Sequence, residues 1–413
     1  MKLIHIPHKW VVNYLYLFIF LVPWNFFKGQ IGVLSALLIV LWLVTFQQNG
    51  YWVKLKTIFQ SKPLVVFFLF IIYTYSSYFW STNTEAYNAS QMFFKYYWII
   101  VPLFFSVLNH NEALKGIKIF VLSFGLYALF SLSIYAGLLS AGISTSENPQ
   151  GTVSYTISTP YMALAVLMSY IFAFNETNVV QKRLYYGIAF VSLIGLFINY
   201  GRAAQIGFVL TAIVLLVTYF RKNLNLKMLF LFLLVLGAGV FVLNSVGKLD
   251  RFKTGFQELT KYQDIQSLEG SWGCRLYLIH ASKEIILNDP IFGTGAGDNI
   301  DKLIEWTKKH PNPQTDWNRT FHNQHLEFIT KYGLLGYFLL ISAVVILLYQ
   351  LKDLPLAFGS ALTFFTFTAF DGIADIIILM KPYNNIFAMM FVLFAVIAYE
   401  KQIGMTPKDE RLC

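Results

Sequence analysis

Charge is scarce in this chain of 413 residues. Asp, Glu, Lys and Arg make up 13% of it, against about 25% in an ordinary soluble domain. With 57% apolar residues and a mean hydropathy of +0.57, that shortage excludes a soluble globular domain. It also excludes disorder, which requires low hydrophobicity. Cysteine is nearly missing: Cys274 and Cys413 are the only two, so there is neither a disulfide framework nor a Cys-rich metal site. No G-x-x-x-x-G-K-[ST] loop, D-x-D carboxylate pair or internal repeat occurs. Gly293-Thr294-Gly295-Ala296-Gly297 is rich in glycine, but it neither follows a strand-like run nor opens a βαβ unit, and it reads as a turn after Asp289-Pro290.

Long apolar runs are what the chain has in abundance. A helix needs about 20 apolar residues to cross a hydrocarbon core. Runs of that kind lie near 11–27, 31–46, 64–80, 92–108, 117–139, 160–174, 184–199, 203–220, 227–244, 333–350, 355–379 and 384–400, twelve in all. Aromatics reach 18%, which suits a membrane interior with aromatic belts. The first run ends in Pro23-Trp24-Asn25-Phe26-Phe27 instead of a small-residue cleavage site, so a retained helix is expected.

The basic residues test this topology. In a soluble protein the net charge of +10 would point to nucleic acid; here it sorts by membrane side. With the N-terminus in the cytoplasm, the inner segments hold Lys2, Lys9, Lys54, Lys56, Lys62, Lys115, Lys118, Lys182, Arg183, Arg221, Lys222, Lys227, Lys352, Lys401, Lys408 and Arg411. The short outer segments hold only Lys28, Lys95, Arg202 and Lys381. This asymmetry fits the positive-inside rule, from which a long outer segment is exempt. The expected organisation is an all-α polytopic membrane protein: nine spans in 1–244, a long outer loop with amphipathic helices in 245–332, and three spans plus an inner tail in 333–413. Cys274 then lies outside and Cys413 inside, and the two cannot pair within one chain.

Ionisable groups at the membrane rim are costly and therefore candidates for function. Arg202 sits in Asn199-Tyr200-Gly201-Arg202, between two apolar runs with almost no loop; it is either functional or a snorkelling side chain whose stem covers apolar surface. Arg275 precedes an amphipathic stretch over 275–288 and reads equally as a solvated surface charge. His322 opens a segment that runs into a hydrophobic span, where its ordinary pKa near 6.5 suits general-base work; the alternative is an interfacial helix cap. His322 and His325 at i, i+3 make a poor metal site without further ligands, and no metal is expected. Asp371 and Asp375 fall late in the eleventh run, where they can pair with an arginine, hold a histidine, or make helix-packing hydrogen bonds.

His322-Asn323, nine further residues, and then Gly333-Leu334-Leu335-Gly336 resemble the H-[NSQ]-x9-G-x-x-[GTY] signature of bacterial O-antigen ligases, within the O-antigen ligase/polymerase superfamily of membrane glycosyltransferases. The expected topology is similar too. The resemblance implies a GT-C-type fold of about twelve transmembrane helices with one long periplasmic loop, in the bacterial inner membrane. It implies His322 as the catalytic residue, Arg202 and Arg275 as pyrophosphate-binding arginines, and Asp375 and Asn323 in support. The implied donor is a glycan on undecaprenyl pyrophosphate, the acceptor a sugar hydroxyl of lipid A–core, and the other partners membrane lipids. Neither a cofactor nor nucleic acid is expected. Related O-antigen polymerases and protein O-oligosaccharyltransferases share a weaker form of the motif and stay open as alternatives. A lipid-linked oligosaccharide flippase or other transporter is the alternative of another class; such proteins often show repeats and midplane helix breaks, and no repeat is visible here.

Overall fold

A computed structural model describes residues 6–142, 144–221, 226–245, 247–260, 264–312 and 320–405. Lys2, Lys222, Lys408, Arg411 and Cys413 lie outside the described residues. The described chain is helical, with no strand. Its α-helices are α1 (His8–Leu21), α2 (Gln30–Thr45), α3 (Tyr51–Leu55), α4 (Lys62–Ser76), α5 (Thr84–Gln91), α6 (Tyr97–Val107), α7 (His110–Tyr135), α8 (Tyr155–Asn175), α9 (Val179–Ile198), α10 (Arg202–Thr218), α11 (Leu226–Ser245), α12 (Asp250–Thr260), α13 (Gly270–Asn288), α14 (Asn299–Lys309), α15 (Gln324–Leu351), α16 (Pro355–Asp371) and α17 (Tyr383–Gln402).

Each of the twelve apolar runs coincides with a helix. Among the described residues, five segments are long and apolar enough to cross a membrane on their own: Lys62–Phe79, His110–Tyr135, Tyr155–Asn175, Gln324–Leu351 and Tyr383–Gln402. Leu233–Ser245 and Asp250–Thr260 form a further apolar pair bent by 92°. Local chemistry fixes several starts. Asn109 and Glu112 form a reciprocal capping box on α7, and Asn178 caps α9; each supplies acceptors for amides that have no partner inside the helix. Pro63 and Pro355 stand in the first turns of α4 and α16, where a missing N–H costs nothing.

At the centre, α17 is buried from Tyr383 through Glu400, packed against α4, α6, α7, α15 and α16. Phe391 of α17 stacks on Phe67 of α4 at 4.1 Å. The outer faces of α2, α9, α10 and α11 expose Leu43, Phe190, Val217 and Phe241 among many apolar side chains. An apolar surface that extensive needs an apolar solvent, as a multi-pass membrane protein has.

A second, smaller core joins Leu268, Tyr277, Leu278, Ala281, Ile285, Leu303, Trp306 and Phe321. It ties α13 and α14 to the chain entering α15, and defines what is called here the loop end of the molecule. Two of the boundaries that differ from expectation bear on the residues singled out above. The amphipathic helix around Arg275 begins at Gly270, so Arg275 lies inside α13 and not at its start. The eleventh span stops at Asp371 and not near 379, which leaves Asp375 in a non-helical turn. The physical reason is pairing between segments: the carbonyls of Gly372 and Asp375 accept from the Gln324 N–H at 2.6 and 2.9 Å, and Gln324 Oε1 accepts from the Ile378 N–H at 2.8 Å. These bonds replace the ones that a longer helix would have made.

Candidate active site

The turn between α9 and α10 is three residues long and held from inside. Asn199 is buried and donates to Gly195 O at 2.9 Å and Ser131 Oγ at 3.0 Å, while Gln205 donates to Leu196 O at 3.0 Å. Arg202 therefore emerges at a fixed position at the start of α10. Its Nη1 donates to Arg251 O at 2.6 Å, and its guanidinium lies 5.7 Å from the Trp272 ring. From α13, Arg275 donates through Nε to Ala374 O at 2.7 Å and through Nη1 to Ser271 O and Oγ at 2.8 and 2.7 Å. Both arginines are oriented by neutral acceptors, and neither pairs with a carboxylate among the described residues.

His322 precedes α15 with a φ of 46°, the left-handed region that a side chain seldom adopts. Such a conformation persists only where its surroundings over-determine it, and both flanks of His322 are tied down. Behind it, Asn323 caps α15, its Oδ1 accepting from His325 N at 3.0 Å and Leu326 N at 3.1 Å. Ahead of it, the Phe321 N–H donates to Glu327 Oε2 at 3.0 Å. Glu327 is buried, and its other oxygen accepts from Asn299 at 3.1 Å and pairs with Lys331 at 2.8 Å. His325 is engaged elsewhere, with Tyr337 OH and Ala369 O each 2.8 Å from its ring nitrogens, an arrangement unlike that of a metal-ligand pair with His322.

The glycines of the motif have a physical role. Gly333 breaks α15 with φ 64° and ψ −176°, and the 290–295 turn docks in the break. Leu334 N donates to Pro290 O, Leu335 N to Ile291 O, Thr294 N to Thr330 O and Gly295 N to Lys331 O. A Cβ at Gly333 would lie 2.0 Å from Ile291 O, and one at Gly293 would lie 2.4 Å from Gly333 N. The glycine-rich 293–297 segment is thus a turn, as expected, whose use is to brace the helix that carries His322.

A cavity of about 390 Å³ opens among these parts, lined by Tyr155, Tyr200, Arg202, Arg251, Ser271, Trp272, Arg275, Asp371 and Asp375 with apolar neighbours. Arg202, Arg275 and Asp375 are brought together there. Asn323 is not part of the lining; it caps α15. His322 is not in the lining either, and stands beside it within the electrostatic reach of Arg275, Asp375 and Glu327. Burial pushes the His322 imidazole below its ordinary value, and Arg275 pushes it the same way; Asp375 and Glu327 act against them.

Arg251 is the lining residue that sequence reasoning missed. Its guanidinium and Lys248 Nζ each lie 4.4 Å from the Tyr200 ring. Burial and the nearby Arg251 push the Lys248 ammonium down to about 8, and Lys248 is held by the carbonyls of Glu147 and Ile198. The available signal was the spacing Lys248-x-x-Arg251-x-Lys253 beside a rim aromatic, which is hard to tell from a solvated helix face.

Residues 187–341 match the family described as O-antigen ligase. The matched stretch holds Arg202, Arg251, Arg275, His322, Asn323, Gly333 and Gly336, and leaves Asp371 and Asp375 beyond its end. No curated protein matches the chain significantly.

Proposed function

Because residues 187–341 match the family described as O-antigen ligase, we propose that this protein is an O-antigen ligase. It transfers a glycan from undecaprenyl pyrophosphate to a sugar hydroxyl of lipid A–core, on the periplasmic face of the bacterial inner membrane, in lipopolysaccharide biosynthesis. The observation that carries this reading is one cavity that gathers Arg202 and Arg275, neither of them paired with a carboxylate, beside the His322 motif.

Each role follows from chemistry. The leaving group is a diphosphate, and arginine binds phosphate oxygens with planar, often bidentate hydrogen bonds that lysine cannot copy. Those contacts strengthen as charge builds on the departing oxygen, which favours the transition state over the ground state. His322, neutral at physiological pH, accepts the proton of the acceptor hydroxyl. The new bond joins that hydroxyl oxygen to the anomeric carbon, the bond from that carbon to the phosphate oxygen breaks, and undecaprenyl pyrophosphate departs. One displacement, with no metal ion, inverts the anomeric centre. Asp375 and Glu327 stabilise the imidazolium that forms, and Asn323 holds the start of α15 directly behind His322.

The test is a glycolipid gel from a strain lacking this gene and complemented with the wild type or with His322→Ala. The ligase reading expects a lipid A–core without its glycan ladder in the deletion and in the His322→Ala strain, with undecaprenyl-linked polymer accumulating and the variant present in the membrane. A full ladder with His322→Ala overturns the catalytic role. Single repeat units on the core without a ladder make the protein the polymerase.

A further inference from the structure

The positive groups around the cavity fall in an order. His322 feels Arg275, Arg202 is repelled by both Arg275 and Arg251, and Lys248 is repelled by Arg251. Direct contacts repeat that order. Arg275 is anchored on Ala374, next to Asp375, and Arg202 reaches the backbone of Arg251. Arg251 thus follows Arg202 in the row, on the side away from His322, with Lys248 beyond it.

Arg251 also lacks a partner that would explain it. Its Nη1 is buried and has no hydrogen-bond partner among the described residues, and Arg251 forms no ion pair there. A buried guanidinium nitrogen left unpaired is costly. Like charges held side by side raise the cost further, and an anion in the cavity would relieve both terms. Arg275 stands nearest His322, where the bond breaks, so Arg251, which lines the same cavity beyond Arg202, calls for a second anionic group, set back from the reacting carbon.

We infer that Arg251 binds the lipid-side phosphate of the donor and makes the site select a diphosphate over a monophosphate carrier lipid. This rests on the ligase reading for the direction of the donor: the sugar-side phosphate lies at Arg275, nearest His322, and the lipid-side phosphate lies between Arg202 and Arg251. A monophosphate lipid would occupy the Arg275 end and leave Arg251 unmet.

The experiment measures binding of two probes, farnesyl diphosphate and farnesyl monophosphate, to the full chain in nanodiscs. The wild type binds the diphosphate about 10- to 100-fold more tightly, the range expected for one charge-assisted contact. Arg251→Gln closes that gap by weakening the diphosphate alone, and Arg251→Lys closes part of it because the charge remains without the fork. Arg275→Gln weakens both probes and keeps a gap. Equal binding of the two probes by the wild type overturns the inference. So does an Arg251→Gln protein that keeps the gap or loses both probes equally. If Arg251→Gln does not fold, Arg251→Lys decides by the same gap. The probes carry no glycan, so this result is independent of transfer: a deletion strain that keeps its full glycan ladder sinks the ligase reading, and an unchanged probe gap sinks only the role of Arg251.

Discussion

The cavity and the end of the molecule opposite the loop treat positive charge in opposite ways. At the end opposite the loop, Lys54 pairs with Glu400 at 2.5 Å, Lys401 with Asp353 at 2.7 Å, and His8 with Glu112 at 3.0 Å. Around the cavity, Arg202 and Arg275 are held by carbonyl and hydroxyl oxygens and Arg251 stands over Tyr200, while Asp371 and Asp375 share the cavity without forming an ion pair among the described residues. A carboxylate cancels the charge that it orients, whereas a carbonyl orients a guanidinium and leaves its charge available. The first arrangement belongs to structure. The second keeps a field pointed into the cavity.

If that difference is real, substitutions in the two places should fail in different ways. The largest effect is expected at the loop end. Arg275→Ala should lower glycan transfer about 100-fold or more, the scale of losing one preorganised donor to a developing charge, with little change in thermal stability because no carboxylate is orphaned. Transfer assayed on purified, folded protein checks this, and an unaltered rate would remove the contrast. Lys54→Met should do the reverse. It strands Glu400, whose side chain is only 8% exposed, at a cost of about 3 kcal/mol, so the melting temperature falls while transfer per folded molecule holds. A loss of turnover without a loss of stability would show that the pair is not merely structural.

The acidity of His322 gives a finer test. The base must be neutral, and burial and Arg275 both favour the neutral form. On the acid side kcat/KM should therefore hold down through 6.5 and fall only below the ordinary histidine range. Arg275→Gln removes a charge that favours the neutral form, so the acid limb should move to higher pH in whatever activity remains. Asp375→Asn removes a charge that favours the protonated form, and the limb should move to lower pH. Shifts in the same direction, or none, would mean that another group titrates. His325→Gln should leave the limb in place, since His325 is engaged by Tyr337 and Ala369.

Much of this was legible in the sequence because the signals were local. Each apolar run became a helix because a membrane span must satisfy its backbone within itself, which makes hydropathy a direct record of structure. Arg202 stood out because a charge between two apolar runs has nowhere to go but the rim. His322, Asn323, Gly333 and Gly336 form one local unit, in which a strained residue, a cap and a helix break share a single turn-and-helix segment. What stayed hidden depends on distant pairing. The end of α16 could not be read at Asp371, because the residues after it remain apolar and what stops the helix is Gln324, far off in sequence. Arg251 looked like one cation among several, and only the fold of α12 against the α9–α10 turn sets it beside Arg202. The bond of Glu327 to the residue before His322 appears only in three dimensions.

The smallest expected effect guards the comparison against a simpler explanation, that any positive charge at the loop end helps to attract an anionic donor. Lys253 is two residues from Arg251, but it is exposed and pairs with Asp250 at 2.8 Å, the two side chains being 64% and 79% exposed. Such a pair contributes about 0.5 kcal/mol or less, and beyond a Debye length, about 8 Å at physiological salt, its field is largely screened. Lys253→Ala should therefore change stability, transfer and the preference for diphosphate by no more than about two-fold. If it weakened transfer as much as Arg251→Gln does, and salt abolished both effects together, the loop end would be acting through its overall field. The placement of individual guanidiniums around the cavity would then lose its meaning.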